Sequence, residues 1–282
     1  MSYVSNPQGE RVRKVGALQQ RQARRKYGQF LVEGPQGVRE AVRFTPDLVR
    51  DVYVREDLVS NFAQILELAE QNSLYVHECT AEVLAAMSPD AQGILAVCYT
   101  PDLSLSRFED SDLSAMRNIA ILCEVRDPGN AGTVIRAADA AGADLVVFTD
   151  TSVEVFNPKV VRSTAGSLFH LPVVIGASAT EAVQRFRSLG LQILAADGYG
   201  SFDLDDLLDQ TDHGEPAAEI ALAKPTAWLF GNEAAGLSPD EKSLADGAVR
   251  VPIRGRAESL NLATAATVCL YATSRAQRER TN

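Results

Sequence analysis

The stretch NIAILCEVRDPGNAGTVIRAADAAGADLVVFTD (118–150) decides the fold. It opens on an apolar, partly β-branched run, turns at Asp127-Pro128-Gly129, and closes on a second apolar run, DLVVFTD. Between them Ala131, Val134, Ile135, Ala138 and Ala141 fall on one face of a helix, and Asn130 is a suitable N-cap for it. The whole reads strand, helix, strand. Downstream the same alternation continues through LPVVIG (171–176), LQILAAD (191–197), TAWLFG (226–231) and GAVRVPI (247–253). A last and longest helix runs from about 259 to 279. Apolar strands alternating with helices predict an α/β fold with a mostly parallel sheet covered on both faces.

Upstream, TPDLSLSRFEDSDLSA is polar and reads as a linker over 101–116. Before it lies a smaller α/β series over 29–100. FLVEG (30–34), VRDVYV (49–54), SLYVHE (73–78) and GILAVCY (93–99) are its strands. PQGVREAVRF (35–44), DLVSNFAQILELAEQN (57–72) and AEVLAAM are its helices. The expected organisation is a basic arm or helix over 1–28, a small domain over 29–100, the linker, and a larger domain over 117–282.

Of the 282 residues, 46% are hydrophobic, enough for two cores. No leader-like apolar segment opens the chain and no 18-residue apolar run occurs, which points to a cytoplasmic protein with no membrane partner. Cys79, Cys98, Cys123 and Cys269 are scattered, as are His77, His170 and His213, so no metal site is expected. The net charge of −10 argues against general affinity for phosphate. Its distribution argues otherwise, because Arg11 to Lys26 carries seven basic residues and no acidic one. Two readings of that run stand at this point, a solvated helix face or arm and an RNA contact. The second predicts that replacing Arg21, Arg24, Arg25 and Lys26 flattens the salt dependence of RNA binding. A further basic set is Arg250, Arg254 and Arg256, whereas FEDSD (108–112) and DLDDLLDQTDHGE (203–215) hold acidic excess.

Three loop segments carry the chemistry. In the first, Arg136 falls off the apolar stripe of its helix, where it either meets an anion or pairs with Asp139. In the second, AWLFGNEAAGLS (227–238), a strand ends in Gly231-Asn232-Glu233 and turns through Gly236 before Ser238, a suitable cap for the next helix. In the third, VPIRGRAESLNLATAATVCLY (251–271), a basic loop leads to an Ala-rich helix opened by Ser259 or Asn261. G-x-G-x-x-G, G-x-x-x-x-G-K-[ST] and G-x-S-x-G are absent, so dehydrogenase, P-loop and α/β-hydrolase readings lose their main support.

In register, NAGTVIRAADAAG, AWLFGNEAAGLS and VPIRGRAESLNLATAA resemble the three motifs of the SpoU/TrmH branch of the SPOUT RNA methyltransferases. NPKVVRSTAGSLFHLPV (157–173) resembles the segment between the first two motifs, and 29–99 the small ribosomal-protein-like RNA-binding domain that many members carry in front. The resemblance implies a trefoil knot near the C-terminus and a homodimer. It implies transfer of a methyl group from S-adenosylmethionine to a ribose 2′-hydroxyl of RNA. The cofactor would be held by Gly231, Val251, Ile253, Leu260 and Asn261, and the active site built from Asn130, Arg136, Glu233, Ser259 and Asn261. Glu233 is expected to orient Arg136. Ribosomal RNA is the leading substrate, transfer RNA the alternative, and a non-catalytic RNA-binding assembly protein the rival of another class.

Overall fold

The structure is a computed structural model describing residues 2–213 and 219–278. Glu215 of the acidic stretch and position 279 of the expected last helix therefore lie outside the described residues. The chain forms two compact units, Met1–Asp102 with Glu154–His170, and Leu103–Val153 with Leu171–Asn282.

In the first unit, strands β1 (Ser2–Val4), β2 (Gln29–Glu33), β3 (Val49–Arg55), β4 (Tyr75–Cys79) and β5 (Ile94–Tyr99) form a sheet of order β1-β4-β3-β5-β2. β1 was not legible beforehand, because three residues without an apolar run carry no strand signal. The stretch expected as one helix over 57–72 divides into 3-10 turns, Glu56–Phe62, and an α-helix, Ala63–Gln71. Residues 2–28 are not an appendage. Val12 and Val15 of the helix Glu10–Ala17, Leu18 just after it and Ala23 of the helix Arg21–Tyr27 pack into a core with Leu31, Tyr53, Leu95 and Met87.

Arg24 belongs to that construction. It is only 4% exposed, donates from Nη1 to the carbonyls of Leu18 and Gln19, and grips Glu154 with Nε and Nη2 at 2.8 and 2.7 Å. It ties the turn between the two helices to the segment Glu154–His170, which the sequence places inside the larger domain. Phe156 packs on Phe30 at 4.4 Å between ring centroids, and Arg162 of the helix Pro158–Ser163 pairs with the buried Glu33. Arg24 is thus unavailable to RNA, and its replacement tests folding. Arg24→Ala strands two carbonyls and leaves the largely buried Glu154 carboxylate with Arg21 alone, 3.4 Å away, and is expected to cost about 2 kcal/mol. Calorimetry should show the first unfolding transition several degrees lower; an unchanged Tm would refute the account.

In the second unit every strand pairing is parallel. Strands β6 (Asn118–Leu122), β7 (Leu145–Thr149), β8 (Val173–Ala177), β9 (Gln192–Ala196), β10 (Phe202–Asp203), β11 (Thr226–Phe230) and β12 (Gly247–Arg250) take the order β10-β12-β9-β11-β6-β7-β8. Alternation sends Ile119, Ile121, Ala227 and Leu229 to one face, under Ala182, Val183 and Phe186 of the helix Ala179–Ser188. The other face lies under the helices Pro128–Ala141 and Leu262–Gln277. Trp228 Nε1 donates to Thr273 at 2.9 Å and Asn118 Nδ2 to the Leu270 carbonyl at 3.1 Å, fixing the last helix on this face. Because the strands are parallel, the loops after β6, β9, β11 and β12 emerge at one edge. Ligands of open α/β sheets bind at that edge, where strand order reverses. Among the described residues no helix is long and apolar enough to cross a membrane.

Candidate active site

The loop after β6 begins with backbone under constraint. Glu124 has φ of 52°, unusual for a residue with a side chain, and is pinned there from both sides. Its N–H donates to Thr149 Oγ1 at 3.1 Å, and its carbonyl accepts from Asn232 Nδ2 at 2.8 Å. The helix Pro128–Ala141 then starts on an Asp127 cap, whose carboxylate accepts from the Asn130 N–H at 2.8 Å. The expected cap, Asn130, stands within the first turn instead. That leaves its side chain free for other work. Nδ2 donates to Glu233 Oε1 at 3.3 Å, and Oδ1 accepts from Asn261 Nδ2 at 3.0 Å.

Glu233 is set by the loop after β11. Asn232 and Gly236 exchange backbone hydrogen bonds of 3.0 and 2.9 Å, and Asn232 Oδ1 accepts from the N–H groups of Ala234 and Ala235. Gly236 takes φ of 68° to close the turn. Ser238 caps the helix Pro239–Ser243 in a reciprocal box with Glu241, as its position in the sequence suggested. The Glu233 carboxylate also accepts from the N–H groups of Arg126 and Asp127 at 3.5 and 3.3 Å. Arg136 is not among its partners, against the expectation that Glu233 orients it.

Of the two candidates for opening the last helix, Asn261 is the cap, accepting from Ala263 and Thr264 through Oδ1. Ser259 lies upstream, exposed on the wall of a cavity of about 350 Å³. The same wall carries Gly231, Val251, Ile253 and Leu260 of the expected cofactor set, together with Phe230, Leu237, Val249 and Leu262. Asn261 stands beside it, joined to Asn130. The volume suits a small organic ligand. Ile253 and Leu260, each 37% exposed, offer apolar surface that a purine ring would cover, and loop backbone supplies polar groups beside it. These residues fit S-adenosylmethionine.

The loop after β9 completes the cavity and escaped sequence analysis. Asp197, Gly198 and Tyr199 line it, as does Lys242. Lys242 Nζ lies 2.5 Å from Asp197 Oδ2, and the Tyr199 N–H donates to Oδ1 at 3.0 Å. Partial burial pushes the Asp197 carboxyl up, but these donors outweigh it and hold its pKa below the ordinary carboxylate value.

Arg136 stands apart from this cavity. It is exposed on the helix Pro128–Ala141, while Ala131, Val134, Ile135, Ala138 and Ala141 are buried as the spacing predicts. No hydrogen bond or ion pair engages its guanidinium among the described residues, so the pairing with Asp139 does not form. It lies on the same helix as Asn130 and Thr133, which border an open hollow with Asn261 and Val268 of the last helix. Arg250 and Arg254, in contrast, are tied to Asp203 and Asp205.

A parallel sheet with a cavity of about 350 Å³ at the C-terminal ends of its strands is the arrangement in which open α/β proteins hold a small organic ligand. The SpoU rRNA Methylase family model matches residues 117–271, more than half of the chain, and the chain belongs to that family. An MRM3-like substrate binding domain matches residues 9–96, which takes in the whole basic run. The chain is 31% identical over 271 residues to the 23S rRNA (guanosine(2553)-2′-O)-methyltransferase RlmP of Bacillus subtilis, covering 96% of this chain and 98% of that one. It is 32% identical to a 23S rRNA (uridine(2479)-2′-O)-methyltransferase of Streptomyces viridochromogenes, over 83% of this chain and 72% of that one. An AdoMet-bound rRNA methyltransferase from Sinorhizobium meliloti superposes with a TM-score of 0.79 at 27% identity, over 97% of each chain. The SpoU methyltransferase AviRb from S. viridochromogenes, in complex with AdoMet, gives 0.77 at 31% identity, over 95% of this chain and 98% of that one. The resemblance drawn from the three loop segments thus holds for the family and for the α/β fold with a substrate-binding domain in front.

Proposed function

We propose that this protein transfers a methyl group from S-adenosylmethionine to a ribose 2′-hydroxyl of ribosomal RNA. The observation that carries the reading is the convergence of Asn130, Glu233 and Asn261 beside a cavity walled by Gly231, Val251, Ile253, Ser259 and Leu260. S-adenosylmethionine supplies a methyl group already activated by its sulfonium. The residues must then align the 2′-oxygen and stabilise charge as it loses its proton. A guanidinium stays protonated at neutral pH and is a poor base there. Arg136 therefore binds a neighbouring phosphate and the developing oxyanion. Asn130, Glu233 and Asn261 hold the loops in place around them, and Ser259 offers a hydroxyl on the cavity wall.

Arg136 does not line the cavity of its own chain. The reading accordingly takes the enzyme as a homodimer in which Arg136 serves the partner's cavity, with Val268 and Tyr271 of the last helix, 38% and 48% exposed, as contact surface. It also carries the family's trefoil knot in the loops around the cavity, and a cytoplasmic location beside the ribosomal substrate. The test is transfer of labelled methyl from S-adenosylmethionine to unmodified 23S rRNA, with the modified ribose mapped afterwards. Label appearing in transfer RNA alone would move the substrate, and RNA binding without transfer would leave a non-catalytic assembly protein. Sedimentation should show a dimer at assay concentrations; a monomer with full activity would overturn the shared site.

A further inference from the structure

The basic run has a place in the first unit beyond filling its core. With Arg24 turned inward, the helices Glu10–Ala17 and Arg21–Tyr27 still expose Arg11, Arg13, Lys14, Arg21, Arg25 and Lys26. Where this helical pair stops covering the sheet, two adjoining cavities of about 480 and 380 Å³ open, and both are lined by Arg11 and Arg50. Tyr75 and Tyr99 line the first, Tyr27 the second, and all three are exposed, Tyr75 by 73%. Lone exposed tyrosines are unremarkable, but three along one basic groove make a stacking surface.

The local backbone is shaped to this groove. Pairing of β3 with β5 slips between Val49 and Asp51, leaving Arg50 as the extra residue of a bulge. In a regular strand Arg50 and Asp51 would point to opposite faces; here both line the same cavity. Beneath it, buried His77 sits between Asp51 Oδ1, 2.9 Å from Nε2, and Ser2 Oγ, 2.5 Å from Nδ1. Arg11 Nη1 lies 3.3 Å from the ring. Tyr53 stacks on His77 at 4.9 Å and lines the second cavity, yet its buried hydroxyl has no partner among the described residues. Burial pushes that hydroxyl up to about 12, so it stays a donor. Within the lining Glu10 pairs with Lys14, Asp51 with Arg50 and His77, and Asp47 faces Arg11, so the positive excess at the rim is carried by Arg13, Arg25 and Lys26, exposed on the adjoining helices.

We propose that this groove takes an unpaired nucleotide of the substrate RNA, its base against the tyrosines and its phosphates on Arg11, Arg50 and the basic helices. Unpaired bases are what proteins read most readily in RNA, by stacking on aromatic rings and by hydrogen bonds to exposed base edges. The inference rests on the reading of the chain as an RNA methyltransferase only in taking RNA as the occupant.

The full-length protein is tested with unmodified 23S rRNA transcript, with a single-stranded oligonucleotide, and with a blunt RNA duplex of equal length. Tyr75→Ala combined with Tyr99→Ala is expected to weaken transcript and single-strand binding about tenfold, and duplex binding little. Phe at both positions keeps the rings and should restore most of the affinity. Replacing Arg13, Arg25 and Lys26 together should lower the slope of log affinity against log salt by about two. In transfer assays the tyrosine variant raises KM for RNA more than it lowers kcat, and S-adenosylmethionine affinity stays at its wild-type value. Wild-type RNA affinity in folded tyrosine and Arg50→Ala variants would overturn the groove. Wild-type protein that binds RNA but transfers no methyl, with binding still weakened in the groove variants, would overturn the enzymatic reading and leave the groove standing.

Discussion

Arg136→Ala is expected to lower methyl transfer at saturating RNA by about a hundred- to a thousandfold, the usual loss on removing one donor from a developing oxyanion. Folding should be unaffected, because the side chain is exposed and holds no partner among the described residues. Affinity for S-adenosylmethionine should also persist, since Arg136 does not line the cavity. Arg136→Lys keeps the charge but loses the planar fork that meets phosphate and oxyanion together, and should recover only a small part of the rate. The same variant tests the shared site. Mixed dimers of Arg136→Ala with a cavity variant contain one site in which both defects are absent, so transfer should reappear on mixing. Near wild-type transfer by Arg136→Ala at saturating RNA would remove this residue from the chemistry altogether.

How much of this was legible beforehand depends on the range of the interaction concerned. The strand–helix–strand reading of 118–150 rests on local period, and β6, the helix Pro128–Ala141 and β7 follow it closely. Arg136 was separable from its helix's apolar stripe for the same reason. The cap at Asp127 was missed by three residues, because Asp127 and Asn130 are both good caps and only the turn geometry chooses between them. The choice matters, since it frees the Asn130 amide to reach Glu233 and Asn261. Asp197 and Lys242 gave no signal at all, being brought together by the pairing of β9 with β11 and β12 across dozens of residues. Segment Glu154–His170 failed in the same way. Its partners Glu33, Glu40 and Arg24 lie more than a hundred residues earlier, and no local pattern records such contacts. The basic run misled for another reason. Val12, Val15 and Leu18 have helical spacing, but dense charge around them masks an ordinary core face.

The second large effect is expected from Gly231→Ala. The smallest possible side chain is added, yet its Cβ would lie 2.2 Å from both the Gly236 carbonyl carbon and the Leu237 nitrogen. All of these are backbone atoms, so no rotamer change relieves the contact, and the loop after β11 must open. Opening it breaks the paired hydrogen bonds between Asn232 and Gly236, and displaces Asn232 from the Glu124 carbonyl and Glu233 from Asn130. One methyl group thereby disturbs the cavity wall and the polar cluster together. Misplacement of a site by about 1 Å can cost a hundredfold. Transfer is expected to fall at least that far, with S-adenosylmethionine binding weakened in parallel by calorimetry. Gly236→Ala supplies the contrast. Its φ of 68° strains any side chain, but a Cβ there meets nothing within 4 Å, so its cost is about 1 kcal/mol with the cavity intact. If Gly236→Ala abolished cofactor binding while Gly231→Ala kept it, close backbone approach would not be what the first glycine serves.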